Sequence, residues 1–245
     1  MQDTLAVAAV ATQPKQFFAR SAIVMAVLVL LSFPMSYYLP VVTGTGRFQL
    51  LHHLHGLAFF AWFGVYVWQT RLAASGRIAR HRELGLAGFA LTGALIPLGY
   101  WMAQRAAENR MANGFAQPYE FSYFNLLDMS LFALAMGGAI RLVTRHREWH
   151  RRLAYVAALC LLAPAMTRWT LKLPLDPLLV DILVYVSIYP FLIALAWHDH
   201  KTHGRLHAAT LTSLAVLLPL HVSSAWIARS AWWNHGVGPW LLGAG

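Results

Sequence analysis

The chain has 245 residues, of which 58% are hydrophobic and only 11% are charged. This composition excludes an ordinary soluble domain, because apolar surface on this scale needs lipid to cover it. The formal net charge of +10 does not indicate nucleic acid, because the basic residues occur in short clusters between long apolar runs. The one cysteine, Cys160, lies within an apolar run, which excludes an intramolecular disulfide and a thiolate metal cluster.

Seven apolar runs are long enough to cross about 30 Å of hydrocarbon as helices. They cover residues 21–41, 52–72, 84–104, 121–141, 153–171, 177–197 and 208–228. The first run has no small-x-small cleavage site, so we predict an uncleaved first helix. The sequence therefore predicts an all-α polytopic membrane bundle at 21–228, with a cytoplasmic segment at 1–20 and an extracytoplasmic Trp-rich tail at 229–245.

Positive charge is distributed unequally between the two sides of this predicted bundle. One side carries 13 of the 19 Lys and Arg residues: Lys15, Arg20, Arg71, Arg77, Arg80, Arg82, Arg141, Arg145, Arg147, Arg151, Arg152, Lys201 and Arg205. The other side carries Arg47, Arg105, Arg110, Arg168, Lys172 and Arg229. Because cytoplasmic loops of membrane proteins are enriched in Lys and Arg, we predict an inner-membrane protein with a cytoplasmic N-terminus and an outer C-terminus. The tail tryptophans are predicted to anchor at the outer headgroups.

The predicted cytoplasmic turns repeat one theme before the third, fifth and seventh helices. They read His81-Arg82-Glu83-Leu84-Gly85, His150-Arg151-Arg152-Leu153 and Gly204-Arg205-Leu206-His207. Such recurrence predicts three related helical hairpins after a solitary first helix. It also predicts a rim that contacts anionic lipid headgroups, formed by His81, Arg82, His150, Arg151, Arg205 and His207.

Several polar residues fall at one depth, about 5–10 Å below the outer interface at about 1.5 Å per helical residue. They are His55, Asp128, Arg168, Asp181 and His221. A charge at the bilayer centre costs about 2.5–3.5 kcal/mol on insertion scales, so such groups are expected to face one another and pair. We therefore predict a charge network in which Arg168 pairs with Asp128 or Asp181.

The same region suggests two kinds of bound cofactor. The side chains of His53, His55, Asp128 and Asp181 are types that bind a divalent metal such as zinc, iron or copper. His55 and His221 are the one pair of histidines at similar depth on different helices that could ligate a b-type haem. His52 and His55 share a helix face, whereas His53 points elsewhere.

No complete catalytic motif accompanies these residues, since the chain has no Ser-His-Asp order, phosphate-binding glycine loop or dinucleotide fingerprint. The sequence thus predicts no reaction and leaves open whether the protein is an enzyme. Three hypotheses remain. The first is a polar pocket near the outer leaflet that binds metal or handles lipid, formed by His53, His55, Asp128, Arg168 and Asp181. The second is a non-catalytic accessory subunit of a larger respiratory or photosynthetic membrane complex, and the third is a small b-type haem redox protein.

A wider motif set spans residues 50–210. It comprises His53-x-His55-Gly56, Gln69, His81-Arg82-x-Leu84-Gly85, Asp128-Met129, His150-Arg151-Arg152-Leu153, Arg168, Asp181, Asp199 and Gly204-Arg205-x-His207. This pattern resembles an uncharacterised family of bacterial seven-helix inner-membrane proteins, and the resemblance implies a topology without an activity. The chain departs from that family at Arg151, where members often have Lys, and at His221, where many have a cation. The second departure argues against an essential role for His221.

Overall fold

A computed structural model describes residues 2–46 and 48–243, with side chains described from Gln16 onward. Two of the basic residues that predict the orientation, Lys15 and Arg47, lie outside the described side chains. The helices are α1 (Gln2–Ser32), α2 (Leu39–Val42), α3 (Leu50–Ala74), α4 (Ile78–Ala112), α5 (Glu120–Leu142), α6 (Arg147–Cys160), α7 (Ala163–Thr170), α8 (Pro177–His203), α9 (Ala208–Arg229) and α10 (Gly238–Leu242). Short π-helical turns at Pro34–Tyr38 and Trp232–Val237 join α1 to α2 and precede α10.

Seven helical segments are long and apolar enough to cross a membrane, and no strand occurs in the described part of the chain. They are Gln16–Val42, Leu50–Ala74, Ile78–Ala112, Glu120–Leu142, Arg147–Thr170, Pro177–His203 and Ala208–Arg229. These spans confirm the predicted all-α bundle of seven helices. The protein is therefore a multi-pass membrane protein.

Two spans differ from the predicted runs. α4 contains 35 residues and extends beyond the predicted apolar run at both ends. Its polar terminal residues remain helical, and an ion pair of 2.7 Å between Arg105 and Glu108, three residues apart, stabilises the C-terminal extension. The fifth span is interrupted at Leu161–Leu162, between α6 and α7. Pro164 explains the break, because a proline has no backbone N–H to continue the helical hydrogen-bond ladder.

The fifth span occupies the centre of the bundle. In its most apolar stretch 67% of the residues are buried, against 22–33% in the corresponding stretches of the other spans. α1, α5, α8 and α9 pack directly on α6 or α7, and α3 and α4 close the ring between α1 and α5. The short and apolar side chains of Val156–Ala163 are all buried, which lets the surrounding helices approach closely.

The bundle has two distinct ends. The turns at 75–77, 143–146 and 204–207 lie at one end, which we call the basic side and predict to be cytoplasmic. The turns at 43–49, 113–119 and 171–176 lie at the other end with the C-terminal tail, and we call this the opposite side.

The tail packs against the opposite side of the bundle. The Trp233 indole N–H donates to the carbonyl of Tyr119 at 2.7 Å, and its side chain is 4% exposed. The prediction that all tail tryptophans are interfacial anchors is therefore wrong for Trp233. Trp232 and Trp240 are 62% and 80% exposed and remain available to the interface.

Two of the three basic-side turns share one hydrogen-bond arrangement, and the three-fold repeat of hairpins stays a prediction. The Nδ1 of His81 donates to the carbonyl of Gln69 at 3.2 Å, and the Nδ1 of His150 donates to the carbonyl of Ala139 at 2.9 Å. In both turns the carbonyl belongs to the preceding helix. His207 is different, because its ring nitrogen accepts from the backbone of Ala209 and caps α9.

Candidate functional site

Asp181 belongs to a ladder of four alternating charges on the opposite side. Its Oδ2 lies 2.5 Å from Arg229, which also lies 2.9 Å from Glu120. The other oxygen of Glu120 lies 3.2 Å from Arg110. Two cations and two carboxylates offset one another here, so Asp181 is already neutralised without Arg168.

Asp128 lies apart from this ladder, buried between helices. It is 6% exposed and accepts a hydrogen bond of 3.3 Å from the Tyr185 hydroxyl. The ring of Tyr185 stacks on His221 with centroids 4.1 Å apart, and the hydroxyl of Tyr189 lies 3.4 Å from the Nδ1 of His221. Asp128 thus joins α5 to α8 through neutral hydrogen-bonding groups.

Arg168 has neither carboxylate as a partner. Its Nη1 donates to the carbonyl of Pro164 at 2.5 Å, and its guanidinium lies 3.8 Å from the ring centre of Phe33. Its Nε is buried and has no hydrogen-bond partner among the residues that the structure describes. The predicted pairing of Arg168 with Asp128 or Asp181 is wrong, because depth along a helix does not determine which way a side chain faces.

The side chain of Arg168 instead lines a small pocket, which we call the Arg168 pocket. The pocket has a volume of about 100 Å³. Its wall combines aromatic, imidazole and hydroxyl groups, and the residues are Phe33, Ser36, Tyr37, Phe48, His52, His55, Gly56, Phe59, Met102, Pro164 and Arg168. No acidic side chain of the described part of the chain lines it. Ser36 is exposed, so the pocket opens at the protein surface.

The three neighbouring histidines divide as their helical spacing predicts. His52 and His55 both line the Arg168 pocket, whereas His53 bonds the Tyr37 hydroxyl at 2.7 Å through its Nδ1. The Nδ1 of His55 is buried without a hydrogen-bond partner. His55 and Arg168, which each carry a buried nitrogen without a hydrogen-bond partner among the described residues, therefore line the same small pocket.

The residues of the predicted metal site do not come together. Among the described residues no three His, Cys, Asp or Glu side chains are placed to hold one metal ion, so His53, His55, Asp128 and Asp181 do not form the predicted metal site. The side chains of the metal site were predicted to meet because they lie at similar depth. They do not meet, because they project from different faces of their helices. The haem pair His55 and His221 stays a prediction, and the ring of His221 stacks on Tyr185 with centroids 4.1 Å apart.

A buried charge cluster on the basic side was missed as a site by the sequence reasoning. Arg152 is 0% exposed and bonds the Oδ1 of Asp199 through Nε at 2.9 Å and through Nη2 at 2.5 Å. Its Nη1 lies 2.5 Å from Glu148. The second oxygen of Asp199 accepts from the Thr210 hydroxyl at 2.5 Å and from the His207 backbone at 3.0 Å. Arg152, the second Arg of the His-Arg-Arg-Leu turn, could have indicated this cluster, because it lies one residue before the apolar run predicted at 153–171.

The predicted lipid-headgroup rim is only partly free to meet lipid. Arg151 pairs with Glu148 and lies 5.0 Å from the ring centre of Phe18. Arg82 and Arg205 are exposed and form no ion pair within the described residues. Burial and the nearby Arg152 lower the pKa of His207, which keeps its ring neutral as a helix cap. His81 and His150 are half-buried and held by backbone carbonyls.

Chemically, the described residues of the Arg168 pocket offer one cation, two imidazoles and aromatic walls, with no carboxylate among them. Such a set attracts an anion and repels a metal cation. Comparison with known proteins adds no assignment, since no protein-family model, curated protein or solved structure matches the chain.

Proposed function

We propose that this protein binds the phosphate group of an anionic lipid in the Arg168 pocket. The unpaired guanidinium of Arg168 is the observation that carries this proposal, because a cation near the membrane interface without a carboxylate needs another anion. Charge-assisted hydrogen bonds between arginine and phosphate oxygens are short and strong.

The size of the pocket favours a headgroup over a larger ligand. Its volume of about 100 Å³ is roughly that of three waters at about 30 Å³ each, whereas pockets for drug-sized ligands measure about 300–1,000 Å³. A single phosphate group fits this space while its acyl chains remain in the bilayer. Phe33 and Phe48 provide apolar walls beside the glycerol carbons.

The histidines complement the cation. A ring nitrogen of His55 is buried without a partner, and His52 lies one helical turn earlier on the same face. An N–H on either ring is a suitable donor to a phosphate oxygen. The proposal keeps the lipid-handling half of the sequence-based hypothesis, replaces His53, Asp128 and Asp181 with His52, and retains the predicted bacterial inner membrane as the location.

The test is lipid retention in the purified full chain. We expect one phosphatidylglycerol per protein to be retained in mild detergent, measured by native mass spectrometry. Arg168→Gln removes a charge-assisted bond of about 1.5–3 kcal/mol, so retention should weaken about 10- to 100-fold. Lys172→Gln is the matched control, because Lys172 is an exposed cation on the same side.

A second arm separates two sources of the phosphate. Inorganic phosphate that displaces the lipid only at concentrations far above those of a short-chain phosphatidylglycerol identifies a lipid site. Displacement at equal concentrations identifies a site for the free anion instead. Equal lipid retention by the parent protein and Arg168→Gln would overturn the proposal.

A further inference from the structure

His81 and His150 occupy equivalent places in two hairpins and lie close together on the basic side. His81 is in the first turn of α4 and His150 is in the first turn of α6. Their ring centres are 6.3 Å apart and their planes are nearly perpendicular, at 85°. Neither ring takes part in the charge cluster of Arg152 or in the Arg168 pocket.

Each ring is held in one tautomer by its hydrogen bond. A carbonyl oxygen only accepts, so the Nδ1 atoms of His81 and His150 must both carry the proton. In the neutral imidazole the Nε2 atom then presents a bare lone pair. No hydrogen bond to either Nε2 occurs within the described residues. A carbonyl bound to Nδ1–H is the usual second-shell arrangement of a histidine that binds metal through Nε2.

The separation of the rings suits one metal ion between them. With a metal–nitrogen bond of about 2.0 Å and about 1.1 Å from the nitrogen to the ring centre, collinear imidazoles have centres about 6.2 Å apart. The observed separation of 6.3 Å matches this spacing. Cuprous ion accepts such a two-coordinate geometry, and iron in a porphyrin accepts it through its axial positions.

The charges of the neighbouring residues favour a metal ion of low charge. Arg80 and Arg82 flank His81 in the sequence, and both are exposed. Neighbouring arginines disfavour a bare dication such as zinc, whereas a monovalent ion is repelled less. Glu83, two residues after His81, is also exposed and has no ion pair in the described part of the chain.

We infer that His81 and His150 together bind a metal centre of low net charge through their two Nε2 atoms, with cuprous ion as the species that the two-ligand geometry suits best. This site lies on the basic side and is independent of the proposed lipid site. Loss of one leaves the other intact.

The experiment measures cuprous-ion binding by the purified full chain under reducing conditions, in competition with a chromophoric cuprous chelator. We expect one equivalent to bind, and binding to weaken at least 10-fold in His81→Gln and in His150→Gln. Glutamine keeps an amide donor for the Gln69 or Ala139 carbonyl, so both variants are designed to fold. His146→Gln is the matched control, because this exposed histidine precedes the same helix and should leave the affinity unchanged.

Two spectroscopic measurements complete the test. X-ray absorption of the copper-loaded parent protein should show two nitrogen neighbours and no sulfur, a result that does not depend on the folding of any variant. A Soret band in the protein as purified, lost in both glutamine variants, would assign the same two ligands to porphyrin iron. The inference is overturned if no Soret band is present and copper is absent, or if the copper is bound equally by the parent protein and both variants.

Discussion

At the scale of single residues, Arg152 shows how a charge is accommodated in the interior of the bundle at its basic side. A fully buried guanidinium is costly unless its donors are paired, and Asp199 and Glu148 accept from all three of its nitrogens. Asp199 in turn accepts from Thr210. The cluster therefore links α6, α8 and α9 through satisfied hydrogen bonds.

Removal of one member of this cluster should be strongly destabilising. We expect Arg152→Ala to lower the free energy of unfolding by about 3–5 kcal/mol, because Asp199 is left as a buried charge without its cation. The measurement is a denaturant titration of the purified protein in detergent. Arg147→Ala, at an exposed arginine of the same helix, should change stability by no more than about 0.5 kcal/mol. Equal midpoints for the two variants would contradict a structural role for the cluster.

His207 predicts a pH dependence of stability. Burial and then Arg152 lower its pKa from the usual 6.5, so the unfolded chain binds a proton more readily than the folded protein. This contribution to stability is fully present above pH 6.5 and is lost as the pH falls below that value. We expect the melting temperature to fall more steeply between pH 7 and pH 5 in the parent protein than in His207→Ser, which keeps a capping oxygen. Parallel curves would show that His207 does not contribute.

At the scale of elements, the break in the fifth span is what positions Arg168. α7 starts again after Leu162 with Pro164 in its first turn, and Arg168 lies one turn later. The Arg168 guanidinium bonds the Pro164 carbonyl and lies against Phe33 of α1. Contacts within α7 and with α1 thus hold the cation in the wall of the pocket.

The packing of the tail depends on one glycine. A Cβ on Gly238 would lie 2.8 Å from the Trp233 carbonyl and 3.0 Å from Tyr119, whereas a Cβ on Gly236 meets nothing within 4 Å. We expect Gly238→Ala to displace the tail at a cost of about 1–3 kcal/mol, and Gly236→Ala to leave it in place. Hydrogen exchange of residues 230–242 is the measurement. Unchanged protection in Gly238→Ala would show that the tail accommodates the methyl group.

At the scale of the whole molecule, the distribution of charge predicts how the bundle sits in the membrane. Exposed arginines such as Arg82, Arg147 and Arg205 lie on the basic side. On the opposite side, Arg110 and Arg229 are neutralised by carboxylates within the ladder. Free positive charge is therefore concentrated at one end, as expected for the cytoplasmic end.

Labelling of single cysteines tests this orientation. Thr144 and Ala116 are exposed in loops of the basic and opposite sides, and native Cys160 is only 1% exposed. In spheroplasts, a membrane-impermeant maleimide should modify Ala116→Cys and not Thr144→Cys. Both should react after lysis. Modification of Thr144→Cys before lysis would reverse the predicted topology.

The sequence by itself determined the number of spans and their order, because apolar runs long enough to cross a membrane at about 1.5 Å per helical residue can be read along the chain. It also predicted that His52 and His55 share a face, since their spacing is local to one helix. Only the tertiary structure decided that Asp181 pairs with Arg229 and that Arg168 faces a pocket without carboxylates. Successive residues of a helix point about 100° apart around its axis. The rotation of a whole helix about that axis decides which residues face a neighbour. Packing between helices sets this rotation, and a local sequence pattern does not encode it.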